Sequence, residues 1–418
     1  MFKTRDEAVY YIENIKRKEK RQNLDRMKKA LMLLGNPQNA YKVIHIAGTN
    51  GKGSTVSYLS SILIEANYKV GSFISPYVIT FNERIMINLQ YISDEDLIKY
   101  ANIIYNVSLK LKEEDEIITF FEFITLMGLL YFKDQEVDYA IVEVGMGGIL
   151  DATNIFDNAL RVITNIGFDH MNSLGYTLEE IASKKLGIVH ENETLITSVN
   201  DTLLDYFKSY VNDINANMIW INDKLTNIEE TFQYTSFKYN NVEYRTPLLG
   251  IFQAFNAALA IQVIKHCDSL ISDEVIQRGL DKTQWPGRLQ VIMNEPTVII
   301  DGGHNIHGVC AVVKSIKGLT SKKVHIVFTA LHDKEIDKML AELDTIASDY
   351  VFTTINDIRA CSISDITPYT TKPYISLPDI NDAINHINSF DKSDIVLITG
   401  SLHFISNVID IFSKKNKK

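Results

Sequence analysis

Val43-Ile44-His45-Ile46-Ala47-Gly48-Thr49-Asn50-Gly51-Lys52-Gly53-Ser54-Thr55 is the stretch on which the reading of the fold turns. A short β-branched run ends in a glycine-rich turn, and a helical segment from Val56 to Ala66 follows it. This is the layout of a phosphate cradle. Glycines let backbone N–H groups approach an anion, Lys52 supplies a point charge, and Ser54 or Thr55 can reach a metal ion. The common pattern G-x-x-x-x-G-K-[ST] is not met, because the loop is shorter and Gly53 separates the lysine from the hydroxyls. A plain strand-to-helix turn would account for the glycines. It would not account for a lysine and hydroxyls at the helix N-terminus.

The alternation continues outward. Residues 43–46, 139–144, 161–166 and 195–198 are short, apolar and β-rich, with helical stretches such as 122–132 and 178–186 between them. Continuous apolar strands predict a parallel sheet covered on both faces. From Phe232 to Tyr244 aromatic residues alternate into Asn240-Asn241, which reads as a hairpin at the sheet's edge. A second series runs through 297–301, 324–330, 350–353 and 395–399. Trp285-Pro286-Gly287-Arg288 and Asn294-Glu295-Pro296 lie just before it and set the expected domain boundary, giving 1–291 and 292–418. The expected fold is α/β, with an N-terminal P-loop-type ATPase domain built on a mostly parallel sheet and a smaller C-terminal Rossmann-like domain.

A chain of 418 residues is too long for one core. No run approaches the roughly 18 apolar residues that span a membrane, and the charged segment 1–21 does not read as a secretory signal. The three cysteines, Cys267, Cys310 and Cys361, are scattered, so a reducing cytoplasm without a disulfide framework is expected. A net charge of −10 argues against a nucleic-acid binder. The basic cluster from Lys16 to Lys29 reads as a solvated helix face, with attraction of an anionic substrate as the second reading, and Lys414 to Lys418 as a frayed end.

Polar residues gather where strands end, which is where open α/β sheets place ligands. Glu143 closes the apolar run 140–144 and needs a partner if buried: a magnesium ion or structural hydrogen bonds. His170, after Asn165-Ile166-Gly167-Phe168-Asp169, is a candidate for metal or phosphate. Lys184-Lys185 read as two surface lysines. Arg288, at the expected boundary, suits a γ-phosphate or a hinge salt bridge. Asp301-Gly302-Gly303-His304-Asn305 ends a strand and reads as a nucleotide-facing loop.

Together these residues resemble folylpolyglutamate synthases and dihydrofolate synthases, within the Mur ligase superfamily. The resemblance covers nearly the whole chain, with motifs in family order. They are Gly48 to Ser54; Ser75-Pro76 with Phe81-Asn82-Glu83-Arg84-Ile85; Thr119-Phe120-Phe121-Glu122; Glu143 to Gly148; and Leu150-Asp151-Ala152-Thr153-Asn154. Gly250…Gln253…Asn256, Trp285 to Arg288, Asp301 to Asn305 and Gly400-Ser401-Leu402 complete the series. By this resemblance Thr49, Asn50, Gly51, Lys52, Gly53 and Ser54 hold the ATP phosphates. Ser75, Glu143 and His170 match magnesium positions, and Lys185 matches a lysine that is carbamylated in such enzymes, against the surface reading. Asn256, Arg288 and Asp301 match ATP contacts, with His304 beside them. Thr119, Phe120, Phe121 and Glu122, with Leu150, Asp151 and Ala152, match pterin-binding segments, and the C-terminal domain is expected to contribute to a glutamate site. The chain departs from the family at Tyr77 (usually His), Ile149 (usually Arg), Lys184 (usually Glu), Leu89-Gln90 (usually Asn-Gly) and His403 (usually Tyr).

The activity so implied is ATP- and Mg2+-dependent addition of L-glutamate to a folate, through an acyl phosphate, by a cytoplasmic monomer. Lys52, Lys185, His170, Arg288 and His304 are the expected catalytic set. Other readings are a dihydropteroate acceptor, another Mur-type ligase, or a non-catalytic nucleotide-binding regulator.

Overall fold

The apolar run at 43–47 forms strand β1 (Lys42–Ala47), near the middle of an eight-stranded sheet. The computed structural model describes residues 1–15 and 23–415; residues 16–22 of the basic cluster and 416–418 of the lysine-rich end lie outside the described residues. The sheet also contains β2 (Val70–Phe73), β3 (Ile85–Ile87), β4 (Gln90–Tyr91), β5 (Tyr139–Glu143), β6 (Leu160–Ile163), β7 (Thr194–Thr197) and β8 (Asn217–Trp220). Their order is β4-β3-β2-β5-β1-β6-β7-β8, parallel except where β3 pairs with β2 and with β4. β5 is buried along its whole length, as a strand covered on both faces must be.

The registers decide where chemistry is placed. Ile46 pairs with Glu143, Ala47 with Ile163, and Phe73 with Val142, so β1, β2, β5 and β6 end together. β5 lies on one side of β1 and β6 on the other. The connection after β1 leads to β2 on one side and the one after β6 to β7 on the other, so the carboxyl edge at β1 and β6 is where such a sheet places ligands. The helix after β1 spans Lys52–Glu65, earlier than the Val56 expected, so Lys52 lies in its first turn.

By contacts the chain divides into two units: Met1–Asp223 with Asn256–Lys282, and Lys224–Phe255 with Thr283–Lys418. This differs from a single cut near 291. The reason is local: Phe232, Leu249 and Phe252 pack into the same apolar cluster as Ile299, Val312 and Ile326 of the second unit. The expected hairpin exists, as β10 (Thr235–Tyr239) and β11 (Val242–Thr246) around Asn240 and Asn241, both with positive φ. It is not at the edge of the large sheet. With β9 (Leu225–Glu230) it makes a separate three-stranded antiparallel sheet.

The second unit's main sheet has the order β12-β13-β17-β14-β15-β16: β12 (Gln290–Asn294), β13 (Thr297–Asp301), β14 (Val324–Phe328), β15 (Ala347–Phe352), β16 (Tyr374–Ser376) and β17 (Ile395–Thr399). Only β12 is antiparallel to its neighbour. Among the described residues no helix is long and apolar enough to cross a membrane, and the three cysteines are free.

Candidate active site

The glycine-rich loop after β1 is held by the tail of β6. Thr49 donates its backbone N–H to the Asn165 carbonyl at 2.9 Å, and its hydroxyl sits between the Gly167 carbonyl and N–H. Asn50 N–H donates to Asn165 Oδ1, and the Thr164 hydroxyl donates back to the Asn50 carbonyl at 2.6 Å. Gly48 and Gly51 have positive φ; a Cβ would overlap Thr164 Oγ1 at the first and Asn256 Oδ1 at the second. Asn256 is buried against the loop from the helix Ile251–Cys267.

Lys52 folds back over this loop. Its ammonium donates to the Gly48 and Thr49 carbonyls at 3.2 Å and lies 3.7 Å from Glu143 Oε1. The other Glu143 oxygen accepts from the Ser75 backbone N–H at 3.2 Å. The partner that a buried carboxylate requires is therefore a lysine on one side and a backbone donor on the other. His170, in the left-handed region at φ 50, precedes the short helix Met171–Leu174; its half-exposed ring lies 3.9 Å from Asp169 Oδ2.

Lys184 is exposed, as a surface lysine should be; Lys185 is not. Buried to 5% exposure, it donates from Nζ to the Gly48 carbonyl at 2.8 Å. Burial, then the nearby Lys52 charge, pushes its pKa down to about 7. The surface reading of Lys185 is corrected: helix periodicity turned one lysine of the pair inward beneath the loop.

Two further polar groups form around Glu122 and around Asp151. Glu122 accepts from both the backbone N–H and the hydroxyl of Thr119, closing the start of the helix Phe120–Asp134. Arg26 grips it bidentately, Nε to Oε2 at 3.0 Å and NH2 to Oε1 at 2.9 Å. The basic cluster's solvated-face reading is thus corrected at Arg26, whose side chain is 17% exposed. Removing it leaves a buried carboxylate short of its cation. Arg26→Ala is expected to destabilise the unit by about 2–3 kcal/mol, measured by denaturant unfolding against wild type.

Asp151 accepts from Met146 N–H on one oxygen and from the Thr153 N–H and hydroxyl on the other, the hydroxyl at 2.7 Å. Thr153 Oγ1 also lies 2.7 Å from His45 Nε2, and His45 Nδ1 lies 2.9 Å from Arg161 NH1. Polarity is forced along this chain. The threonine's one proton goes to Asp151, so Nε2 carries a proton and Nδ1 accepts from Arg161. Burial, then the Arg161 charge, holds His45 neutral, well below the ordinary histidine range. Arg161, fully buried, is paired with Glu193 at 2.7 Å. Sequence reasoning missed this chain, although a histidine and an arginine inside apolar strand runs were its signal. Met146, Ile149 and Leu150 expose apolar surface beside Asp151, whereas the Ala152 side chain is fully buried.

The second unit carries its own polar cluster at the end of β13. Asp301 is buried, accepting from Leu289 N–H at 2.9 Å and Gly303 N–H at 2.7 Å; burial raises its pKa against the pull of Arg288. Half-buried Arg288 brings NH1 close to Gly302. His304 Nδ1 sits 2.9 Å from the Gly302 carbonyl, and Asn305 caps the helix Ile306–Leu319.

These two arrangements match known proteins along the chain. The Mur ligase middle domain matches residues 46–264, and the Mur ligase glutamate ligase domain matches residues 287–402. A dihydrofolate synthase/folylpolyglutamate synthase of Bacillus subtilis is 37% identical over 92% of this chain and 94% of its own. The chain belongs to the folylpolyglutamate synthase/dihydrofolate synthase family of Mur ligases. An Escherichia coli synthase of the same description is 30% identical over 97% of this chain and 94% of its own. Among solved structures, E. coli FolC in complex with DHPP and ADP superposes with a TM-score of 0.89 at 28% identity, over 99% of this chain and 98% of that one. A Yersinia pestis bifunctional synthase complexed with AMPPNP and a Mn ion gives 0.87 at 26%, over 98% of each chain. In the first unit Lys52, Lys185 and Asn256 meet one loop, with Glu143 beside Lys52 and the Ser75 N–H on Glu143.

Proposed function

We infer that this chain is an ATP-dependent acid–amino-acid ligase that adds L-glutamate to the γ-carboxylate of folylpoly-γ-glutamate, releasing ADP and phosphate. The placement of Lys52 beside Glu143, which itself accepts from the Ser75 N–H, at the carboxyl ends of β1 and β5, carries this reading. Such a group of a lysine, a carboxylate and a glycine-rich loop at a helix N-terminus suits a polyphosphate with its counter-ion.

The chemistry proceeds in two steps. An oxygen of the acceptor's carboxylate attacks the γ-phosphorus, the bond to the β–γ bridging oxygen breaks, and ADP leaves. The amine of glutamate then attacks the acyl carbonyl, loses a proton, and phosphate departs. Both steps develop negative charge on oxygens, so the protein contributes positioning and neutralisation. Lys52 faces the phosphates, and the loop N–H groups fix them. The Ser75 hydroxyl and the Glu143 carboxylate are hard oxygen donors, and with His170 they would hold Mg2+, which neutralises phosphate charge. In the second unit, Arg288 and Asp301 match nucleotide contacts, and His304 lies beside them. Lys185, whose pKa burial pushes down to about 7, has a substantial free-amine fraction near neutrality and is poised to add CO2 and release a proton, giving a carbamate. Thr119 to Glu122 and Leu150 to Ala152 form the acceptor side, with Asp151 held by Thr153.

A dihydropteroate acceptor is the second reading, since the family includes dihydrofolate synthases and Tyr77 and Ile149 depart from the family on the acceptor side. The same reading makes the enzyme a cytoplasmic monomer acting on small molecules. Purified protein with ATP, Mg2+, glutamate and either tetrahydrofolate or dihydropteroate tests both. Phosphate release is expected only when glutamate and a pterin are both present, and faster with tetrahydrofolate. Faster release with dihydropteroate selects the second reading, and none with either rejects the ligase.

A further inference from the structure

Arg84 is a buried cation outside both the phosphate loop and the Glu122 cluster. Its residue is 7% exposed, and its Nε is buried without a hydrogen-bond partner among the described residues. Three rings enclose the guanidinium: Tyr77 at 4.8 Å from ring centroid to carbon, Phe120 at 5.4 Å and Phe81 at 5.6 Å. The carboxylate next to it in sequence is turned elsewhere, since Glu83 accepts from the Val78 and Ile79 N–H groups. The guanidinium's hydrogen bond to the Ser75 hydroxyl is long, at 3.4 Å from NH1. Rings of this kind hold a guanidinium in place and leave its in-plane donors for an anion.

Position says which anion. On one side Arg84 touches Ser75, whose N–H binds Glu143, which lies beside Lys52. On the other it touches Phe120, the first residue of the acceptor-side helix. The group that must lie between phosphate and acceptor is the carboxylate that is phosphorylated. We propose that Arg84 binds this reacting carboxylate of the acceptor, with Tyr77, Phe81 and Phe120 as the walls that aim it. The inference rests on the acyl-transfer reading. It also accounts for Tyr77, a departure from the family, whose ring closes the cage while its hydroxyl is tied to Glu13 at 3.4 Å.

The experiment takes the pterin acceptor that wild type turns over, as the free acid and as the amide at the reacting carboxyl. Binding of each is followed by pterin fluorescence without ATP. Wild type is expected to prefer the acid by about ten- to a hundredfold, the range of a charge-assisted hydrogen bond. R84Q is expected to bind the acid as weakly as the amide, with amide binding unchanged to within about twofold. Equal weakening of acid and amide, or of neither, overturns the proposal. If R84Q does not fold, R84K carries the same comparison, since it keeps the charge and loses the planar fork. Its expected result is about a tenfold loss for the acid alone, and equal losses again overturn the proposal. Wild type that releases no phosphate with glutamate and any pterin overturns the ligase reading and this one together. Turnover without acid preference overturns this one only.

Discussion

Lys52→Ala is expected to lower ATP-dependent glutamate addition by at least about a hundred- to a thousandfold, the range for removing one charge-stabilising donor from a preorganised site. The ammonium lies within reach of two loop carbonyls and 3.7 Å from Glu143, an arrangement that commits the cation to no full ion pair. A phosphate displaces such weak contacts readily. Stability is expected to fall by only about 1–2 kcal/mol, because Glu143 keeps the Ser75 N–H and the loop keeps its ties to the β6 tail. The measurements are phosphate release under saturating substrates and denaturant unfolding. Near-normal turnover in a folded variant sinks the phosphate role of this lysine.

Lys185→Met is expected to abolish turnover and yet stabilise the protein. An amine with a folded pKa of about 7 sits below its ordinary value of about 10.4, so the unfolded chain holds a proton that the folded chain does not. Wild-type stability therefore rises with pH between about 7 and 10.4, and the penalty is fully present below about 7. Methionine has a similar length and no charge. It is expected to gain about 2–4 kcal/mol near neutrality, after losing the hydrogen bond to Gly48. The gap between variant and wild type should narrow from pH 7 to pH 10, measured by urea unfolding of CO2-free protein. A gap independent of pH would mean that the amine is not held neutral by burial. In the turnover assay, wild-type activity that falls on removing CO2 and returns with bicarbonate supports the carbamate.

The parts legible in the sequence were those with local chemistry. The β1 run, the loop and the parallel α/β order follow from β-branched runs and glycines a few residues apart. Glu143 at a strand end was legible because a carboxylate inside an apolar run is costly. What stayed hidden depends on contacts distant in sequence. From the residues alone Lys185 could not be told from Lys184 without knowing which helix face lies under the loop; only the family resemblance singled it out. Arg26 looked like one of many surface bases until Glu122, 96 residues away, faced it. The Arg161–His45–Thr153 chain joins three segments, and only the fold supplies its order. Aromatic alternation predicts the 235–246 hairpin but not its sheet, and β10 and β11 belong to the separate three-stranded sheet.

The discontinuity of the first unit has a consequence for synthesis. Its loop takes shape only when residues 164–167 are present to hold Thr49 and Asn50, and Asn256 closes against Gly51 later still. Between these, residues 224–255 of the chain belong to the other unit. The helix Asp273–Asp281 then returns, with Gly279 packed directly on Ile62. A ribosome adding about 5–20 residues per second therefore releases the first unit's early strands many seconds before the segment that finishes it. Until Lys282 has emerged, the nascent chain carries exposed apolar surface on the helix Lys52–Glu65. The phosphate loop is thus completed late in the synthesis of this chain, after segments of both units have emerged.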